Sequence, residues 1–488
     1  MSQLSVHTNP LTPGQIQALN EQSAMLNIIV YSEFEGYSAD RTPTISEILA
    51  QARHTKIEVV KRYLENHPEF GDIRLVSCSV NVPKDATGVP YAPDAFYAMT
   101  FYDPIHDRHT IAFGGTPDHA WVENGNAFGP PRNNTYYAYD ITGIVSETVV
   151  NEHFSRSQAC ALNYLNHVAA GEGLTTESLL IVTGHSQGGS NAKTVTMKSD
   201  LVDLCFGFDG PGFSPEAIAE MKRDHPDKYA ERVAKIYQTR ADNNVVDGFG
   251  IDIALPEHVT YVKGYLSRGI VGLDHDLSLI NDDYLLKEDS VFNEAVEGRG
   301  YISTIAADFS VIMLKLPPET RVIVARGVMQ LLQEFALRKG KESGFNDPAK
   351  LWEECMAILV SARILPAVAL DAIGETYDEA TRTMVLFLGA TCVIGFAAMF
   401  PAVTIGLVGT AAAGTLLASC ALTSAGLASF LKDRLTMCGQ GYGMPELVND
   451  LSGLLAHLGP GLAVQRGKAL RVPGLTVQRE KALKTPGF

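Results

Sequence analysis

A chain of 488 residues, 46% of them apolar and 19% charged, is too apolar for a disordered protein and too long for one compact core. Its formal net charge of −16 excludes nucleic acid as a natural partner, because phosphate recognition needs a basic surface. The seven cysteines are odd in number and include no CxxC pair, which argues against a disulfide framework or a zinc site and for buried free thiols.

The first residues, MSQLSVHTNPLTPGQ, hold neither a basic n-region nor an apolar h-region. No secretory signal peptide is expected, and export would need a dedicated secretion system. Residues 12–31 mix Gln, Leu, Ala and Ile at helical spacing, and Thr44 to Leu64 reads as a second helix through Ile45, Ile48, Leu49, Ile57, Val60 and Leu64. Strands are expected at Arg74–Val82, Phe96–Tyr102 and Thr110–Phe113, the last two forming a hairpin around Asp-Pro-Ile-His-Asp-Arg. His106 and His109 fall at that turn without a partner cluster, so they read as turn residues and not as metal ligands. An amphipathic helix at 152–170 ends at Gly171. It is followed by short apolar runs at Leu179–Thr183, Leu204–Phe208 and Ala234–Thr239, the signature of buried parallel strands. Helices alternating with buried strands predict an α/β domain over residues 1–285.

Beyond it the pattern is helical only. A helical region is expected over 286–380, including Thr320–Lys339, which starts after Pro317-Pro318. Residues 383–431 carry no charge and bend at Pro401, so 381–432 reads as an apolar hairpin long enough to enter a membrane twice. The tail, 433–488, is basic at its end: six cations from Arg466 to Lys484 oppose the single anion Glu480, which suits contact with anionic lipid.

The chemistry is carried by Gly184-His185-Ser186-Gln187-Gly188-Gly189. A strand precedes it and a helix-compatible run, Ser190–Lys198, follows, as a G-x-S-x-G nucleophile elbow requires. The serine sits on a sharp turn, the residues two before and two after it must be very small, and the next helix aims its N-terminus at a developing oxyanion. A serine nucleophile needs a base oriented by an acid, in the chain order Ser, Asp or Glu, His. His275 follows an apolar strand and a loop, which places it above the sheet. His258 precedes that strand, on the edge away from the site. Asp242, just past the strand Ala234–Thr239, is the first candidate acid; Asp247 in the same loop and Asp209 in a tight Asp-Gly-Pro-Gly turn are the alternatives. The oxyanion hole is expected from the backbone N–H of Gln187 and from Thr116, which ends the strand-to-loop run Thr110-Ile-Ala-Phe-Gly-Gly-Thr116. No P-loop or dinucleotide fingerprint occurs, and no cofactor is expected.

These residues together resemble the lipase class 3 group of α/β-hydrolases. IAFGGT is similar to that family's VVAFRGT oxyanion loop, GHSQGG to its GHSLGG elbow, and TRADNNVV to its THxxDxVP acid loop, without the proline and with the Asp-to-Val spacing one longer. A bacterial branch of lipase-like proteins is more similar still, with GHSKGGN, DGPGF and a histidine in a QHD context. The corresponding segments here are GHSQGGSN, Asp209–Phe213 and Asp274-His-Asp276. The resemblance spans about residues 90–285. It implies an α/β-hydrolase sheet flanked by helices and a serine-dependent hydrolysis of carboxylic esters, typically of glycerolipids, with Asp242 as the acid. With the apolar hairpin, phospholipid becomes the expected substrate and a membrane the expected location. Export without a signal peptide suggests a bacterial effector, with an inhibitory or immunity partner. A thioesterase or peptidase on the same triad and a pore-forming protein with a scaffold hydrolase domain are the alternative expectations.

Overall fold

Residues 11–329 are described in the computed structural model, apart from 33–41, 53–56, 80–95, 117–120, 243, 245, 265–279, 281–289, 316, 320, 323–324 and 327–328. His275, the uncharged stretch 383–431 and the basic tail lie outside the described residues. The chain divides into two compact units, Met1–Glu342 and Ser343–Phe488, and every described element belongs to the first.

Three helices, α1 (Pro13–Ser32), α2 (Ile45–Gln51) and α3 (Ile57–Asn66), precede the strands β1 (Arg74–Cys78), β2 (Ala98–Asp103) and β3 (Arg108–Phe113). The periodic run at 44–64 is thus two helices, not one. Thr44 opens α2 with a capping box to Glu47, and Ala52 leaves helical dihedrals at φ −66°, ψ 135°. The hairpin β2–β3 forms as expected. Asp103 accepts the N–H groups of Ile105 and His106 in its turn and pairs with the buried Arg108 at 2.7 Å. His106 also bonds Asp103, at 2.8 Å. Among the described residues no group of three or more His, Cys, Asp or Glu is placed to hold a metal ion.

A short α4 (Trp121–Asn124) leads into an antiparallel ribbon, β4 (Arg132–Asp140) and β5 (Gly143–Glu152), which the sequence reading did not anticipate. Then α5 (Arg156–Glu172), β6 (Leu179–His185), α6 (Gln187–Lys198), β7 (Leu204–Phe208), α7 (Pro215–Asp224), α8 (Tyr229–Val233), β8 (Ile236–Ala241) and β9 (Val259–Val262) alternate. The helix expected from residue 152 begins at Arg156, where Ser155 and Gln158 form a capping box, and it ends on Gly173 at φ 66°.

Eight strands form one mixed sheet in the order β1-β2-β3-β6-β7-β8-β9-β10, where β10 is Ala295–Val296. Neighbours from β3 to β9 run parallel, and β1, β2 and β10 are antiparallel to theirs. The sheet therefore continues past residue 285, into a region expected to be helical only. Val296 pairs with Tyr261 across 35 residues, a contact with no local sequence signature. After β10 comes α9 (Tyr301–Met313), and residues 318–319, 321–322, 325–326 and 329 beyond it are helical as well. Helices cover both faces. Met25, Ile29, Ile45, Val60 and Phe70 pack with Phe101, Ile181 and Phe206 on one side; Leu165, Val195, Ala192 and Met221 pack with Ile111, Val182 and Cys205 on the other. Burial on two faces explains why β6 and β7 read as unbroken apolar runs. The fold is α/β, with the parallel strands at its centre. Among the described residues no helix is long and apolar enough to cross a membrane.

Candidate active site

Ser186 stands between the carboxyl end of β6 and the start of α6, at φ 55° and ψ −127°. A non-glycine residue adopts such angles only when its surroundings over-determine them. Three backbone features do so. The Ser186 N–H donates to Phe208 O on the neighbouring strand at 2.9 Å, and Ser186 O accepts Gly189 N–H at 2.9 Å. The third is the absence of side chains: a Cβ on Gly184 would fall on the Gly188 carbonyl, and one on Gly188 would fall on the Phe113 carbonyl. Both elbow glycines are sterically required, as the spacing predicts.

The contact between Gly188 and the end of β3 brings the loop Gly114–Thr116 beside the N-terminus of α6. Gln187 is the first residue of that helix, so its N–H has no intrahelical acceptor. Thr116 Oγ1 accepts a hydrogen bond from Asn124 Nδ2 at 2.6 Å, which leaves the threonine hydroxyl hydrogen to donate elsewhere. The loop that ends at Thr116 thus starts against the first turn of α6, and Asn124 holds the threonine side chain. Sequence reasoning passed over Asn124 because it sits eight residues on, beyond a segment with no motif of its own.

Tyr31 was also missed. Its hydroxyl lies 2.9 Å from His185 Nδ1 and occupies the space that a Cβ on Gly115 would need. It arrives from α1, whose Asn27 bonds Thr183 Oγ1 and whose Asn20 bonds Thr239 Oγ1, both at 2.8 Å. Polar residues at 20, 27 and 31 share the helix face that lies on the sheet, so each reads as an interruption of an apolar face until the partner strands are known.

The candidate acids differ sharply. Asp242 follows β8, is half-buried, and accepts Gly264 N–H at 2.8 Å, at the start of the segment that leads to His275. Asp247 is fully buried, and burial raises its pKa against the opposing pull of Arg240 and Arg299. It also accepts Ser303 Oγ at 2.9 Å, which ties its loop to α9. Those three partners give Asp247 a structural use.

Asp209 follows β7, the strand next to the one that leads into Ser186, and stands at φ 49°. Its Oδ1 accepts Ala241 N–H at 2.8 Å, and Oδ2 has no hydrogen-bond partner among the described residues. Burial, and then the charge of Asp247, push its carboxyl up to about 8. Of the histidines, His258 stacks on Tyr237 and points Nδ1 at Ile236 O, at the amino end of β8 and away from Ser186.

Lys193 lies under this corner with no exposed surface. It donates to Pro211 O at 2.8 Å and Gly210 O at 3.3 Å, and burial lowers its pKa to about 8. Asp252 links it to Arg240, 3.9 Å from the lysine and 2.5 Å from the arginine. The loop after Asp209 is thus pinned from below by a buried amine.

A narrow, partly open cleft reaches Ser186. Trp121, Phe128, Pro211, Val246 and Met329 make its apolar wall, and Asn124, Gln187 and Ser190 supply polar edges. Met329 belongs to the segment after α9. That segment is clamped by Arg321, which is fully buried and donates to Phe128 O at 2.7 Å, Leu314 O at 3.1 Å and Glu216 Oε1 at 2.8 Å.

No curated protein matches this chain. A family model described as Mbeg1-like matches residues 150–295, less than a third of the chain, and that span takes in β6, Ser186, α6, β7, β8 and β9.

Proposed function

We propose that this chain is a serine-dependent carboxylic ester hydrolase acting on lipids, a lipase or phospholipase on an α/β-hydrolase sheet of the lipase class 3 type. The observation that carries the reading is the backbone at Ser186: φ 55°, ψ −127°, enforced by two glycines that admit no Cβ, at the mouth of an apolar cleft. Strain of this kind exposes a nucleophile at the head of a helix and serves no evident packing purpose.

In this reading His275 takes the Ser186 Oγ proton as the oxygen attacks the ester carbonyl. The Gln187 N–H and Thr116 hold the oxyanion, and the alcohol leaves with the proton from His275. Water activated by the same histidine then releases the fatty acid. Asp242 orients His275. A second reading gives that role to Asp209, favoured by its wholly buried and unpartnered Oδ2. A carboxyl held at about 8 can serve only if the histidine N–H reaches that oxygen and draws the pKa down. The uncharged stretch 383–431 and the basic tail support a membrane-associated enzyme, and with it phospholipid over triglyceride.

The test is hydrolysis of a short-chain p-nitrophenyl ester by wild type and by Ser186→Ala. A loss of about 10³-fold or more in the variant is expected, and equal rates would overturn the proposal. Release of fatty acid from anionic phospholipid vesicles, set beside an emulsified triglyceride, separates phospholipase from lipase. Thioester or peptide cleavage without either would move the reading to another acyl transfer. Whichever of Asp242→Asn and Asp209→Asn lowers kcat by about 10⁴-fold identifies the acid.

A further inference from the structure

The ribbon β4–β5 is asymmetric in how its two edges are treated. Helix α5 closes the outer edge of β4 with side chains: Asn163 Oδ1 accepts Tyr137 N–H at 2.9 Å, Asn163 Nδ2 donates to Thr135 O at 2.9 Å, and Asn166 Nδ2 donates to Tyr137 O at 3.1 Å. The outward groups of β4 therefore belong to Thr135 and Tyr137. Their partners across the ladder are Val149 and Glu147. In an antiparallel pair, residues directly opposite share their orientation, so the N–H and C=O groups of Glu147, Val149 and Asn151 face away from β4. Among the described residues no strand pairs with that edge.

β5 is ten residues long and exposed from Glu147 to Asn151, with Val149 at 62% exposure and Val145 at 55%. Long, flat edges invite pairing, and proteins blunt them with lysine, proline, bulges or cover. β5 has no lysine and no proline, its bulge at Val145 lies outside residues 147–151, and its only charge before the closing Glu152 is Glu147. Its β-branched residues Ile144, Val145, Thr148, Val149 and Val150 suit the interior of a sheet.

We propose that β5 is an assembly edge whose partner is β5 of a second copy of this chain, paired antiparallel about a two-fold axis at Val149. That register places Val149 against Val149, Glu147 against Asn151 and Thr148 against Val150. All three outward-facing residues meet outward-facing partners and exchange backbone hydrogen bonds in pairs. The carboxylate meets an amide side chain and not its own image, so the one charge of the edge fits a two-fold pairing. The result is a continuous four-stranded sheet, β4-β5-β5-β4, closed at both ends by α5.

The test is the mass of the full chain in solution by sedimentation velocity at micromolar concentrations, for wild type, Val149→Lys, Val149→Pro and Thr148→Lys. Wild type should sediment as a dimer. Val149→Lys faces like charges and Val149→Pro removes an outward N–H, so both should be monomers with unchanged circular dichroism and unchanged ester hydrolysis. Thr148→Lys sets its lysine against Val150 and should still dimerise. In wild type, amide exchange at Glu147, Val149 and Asn151 should slow as concentration rises, a readout that needs no variant. A monomeric wild type, a dimer that survives both Val149 substitutions, or exchange independent of concentration would each overturn the proposal. The second of these outcomes would mean that another surface makes the dimer.

Discussion

Replacing Asp209 by Asn should make the protein more stable, by an amount that grows with pH. Its carboxyl is raised from an ordinary 3.8 to about 8, chiefly by burial and next by Asp247. Between those values the folded chain holds a proton that the unfolded chain has released, so stability falls as pH rises through the window. The slope is about 1.4 kcal/mol per pH unit, which accumulates to roughly 4 kcal/mol by pH 7. Asparagine keeps an oxygen for the Ala241 N–H and removes the titration. The assay is urea denaturation of both proteins at pH 5, 6, 7 and 8. The gap in unfolding free energy should widen with each step and level off near pH 8. Parallel stability curves would refute the reasoning. They would mean that Asp209 is ionised throughout, held so by a cationic or N–H donor partner at Oδ2, which is the geometry of a triad acid. The same variant thus reports on the desolvation of the carboxyl through stability and on its chemical role through kcat.

Gly188→Ala should lower ester hydrolysis by at least about 10²-fold and destabilise by about 3 kcal/mol, since its Cβ meets backbone oxygens of Phe113 and Gly114 that cannot move independently of β3. Steady-state kinetics and a thermal midpoint check both, and a fully active, equally stable variant would contradict the account of the elbow. Arg321→Met leaves the carbonyls of Phe128 and Leu314 and the Glu216 carboxylate without their donor, which should destabilise by about 3 kcal/mol and raise KM for acyl esters more than it lowers kcat. Unchanged KM would show that the segment bearing Met329 does not shape the acyl site.

The elbow was legible in the sequence because everything that defines it is local: an apolar strand, a serine between two glycines, and a helix-compatible run. The parallel strands were legible for a related reason, since burial on both faces leaves an unbroken apolar signature. The ribbon β4–β5 was not. Its fully buried residues, Asn134 and Glu152, are polar and the rest are part-exposed or exposed, so the strands show no alternation of apolar and polar residues, and only β-branched and aromatic content hints at strands. Residues 44–64 read as one helix because the apolar spacing before and after Ala52 stays roughly in phase, although the chain leaves helical angles there. Asp209 looked like a turn residue. Its sequence neighbours give no sign that Ala241 and Asp247 will enclose it, and desolvation is a property of the tertiary structure. Tyr31 and Asn124 share that difficulty, for each acts on the site through a partner outside its own motif.

The polar contacts of α1 bear on how much of this chain the turn at Ser186 depends on. Asn20 reaches Thr239, 219 residues away, and Tyr31 reaches His185, beside Ser186, across 154. From the other direction Arg321 reaches Phe128 across 193 residues. Residues 150–295 hold the serine but neither of these fasteners, nor the strand whose carbonyls meet Gly188. On a ribosome, the elbow would emerge with α1 already made but with Arg321 still to come. The surroundings of Ser186 would be complete only late in synthesis, after both flanking segments had closed on the strands between them. A proteolytic cut between α1 and β1 would then be expected to disarm the serine without touching any residue near it in sequence.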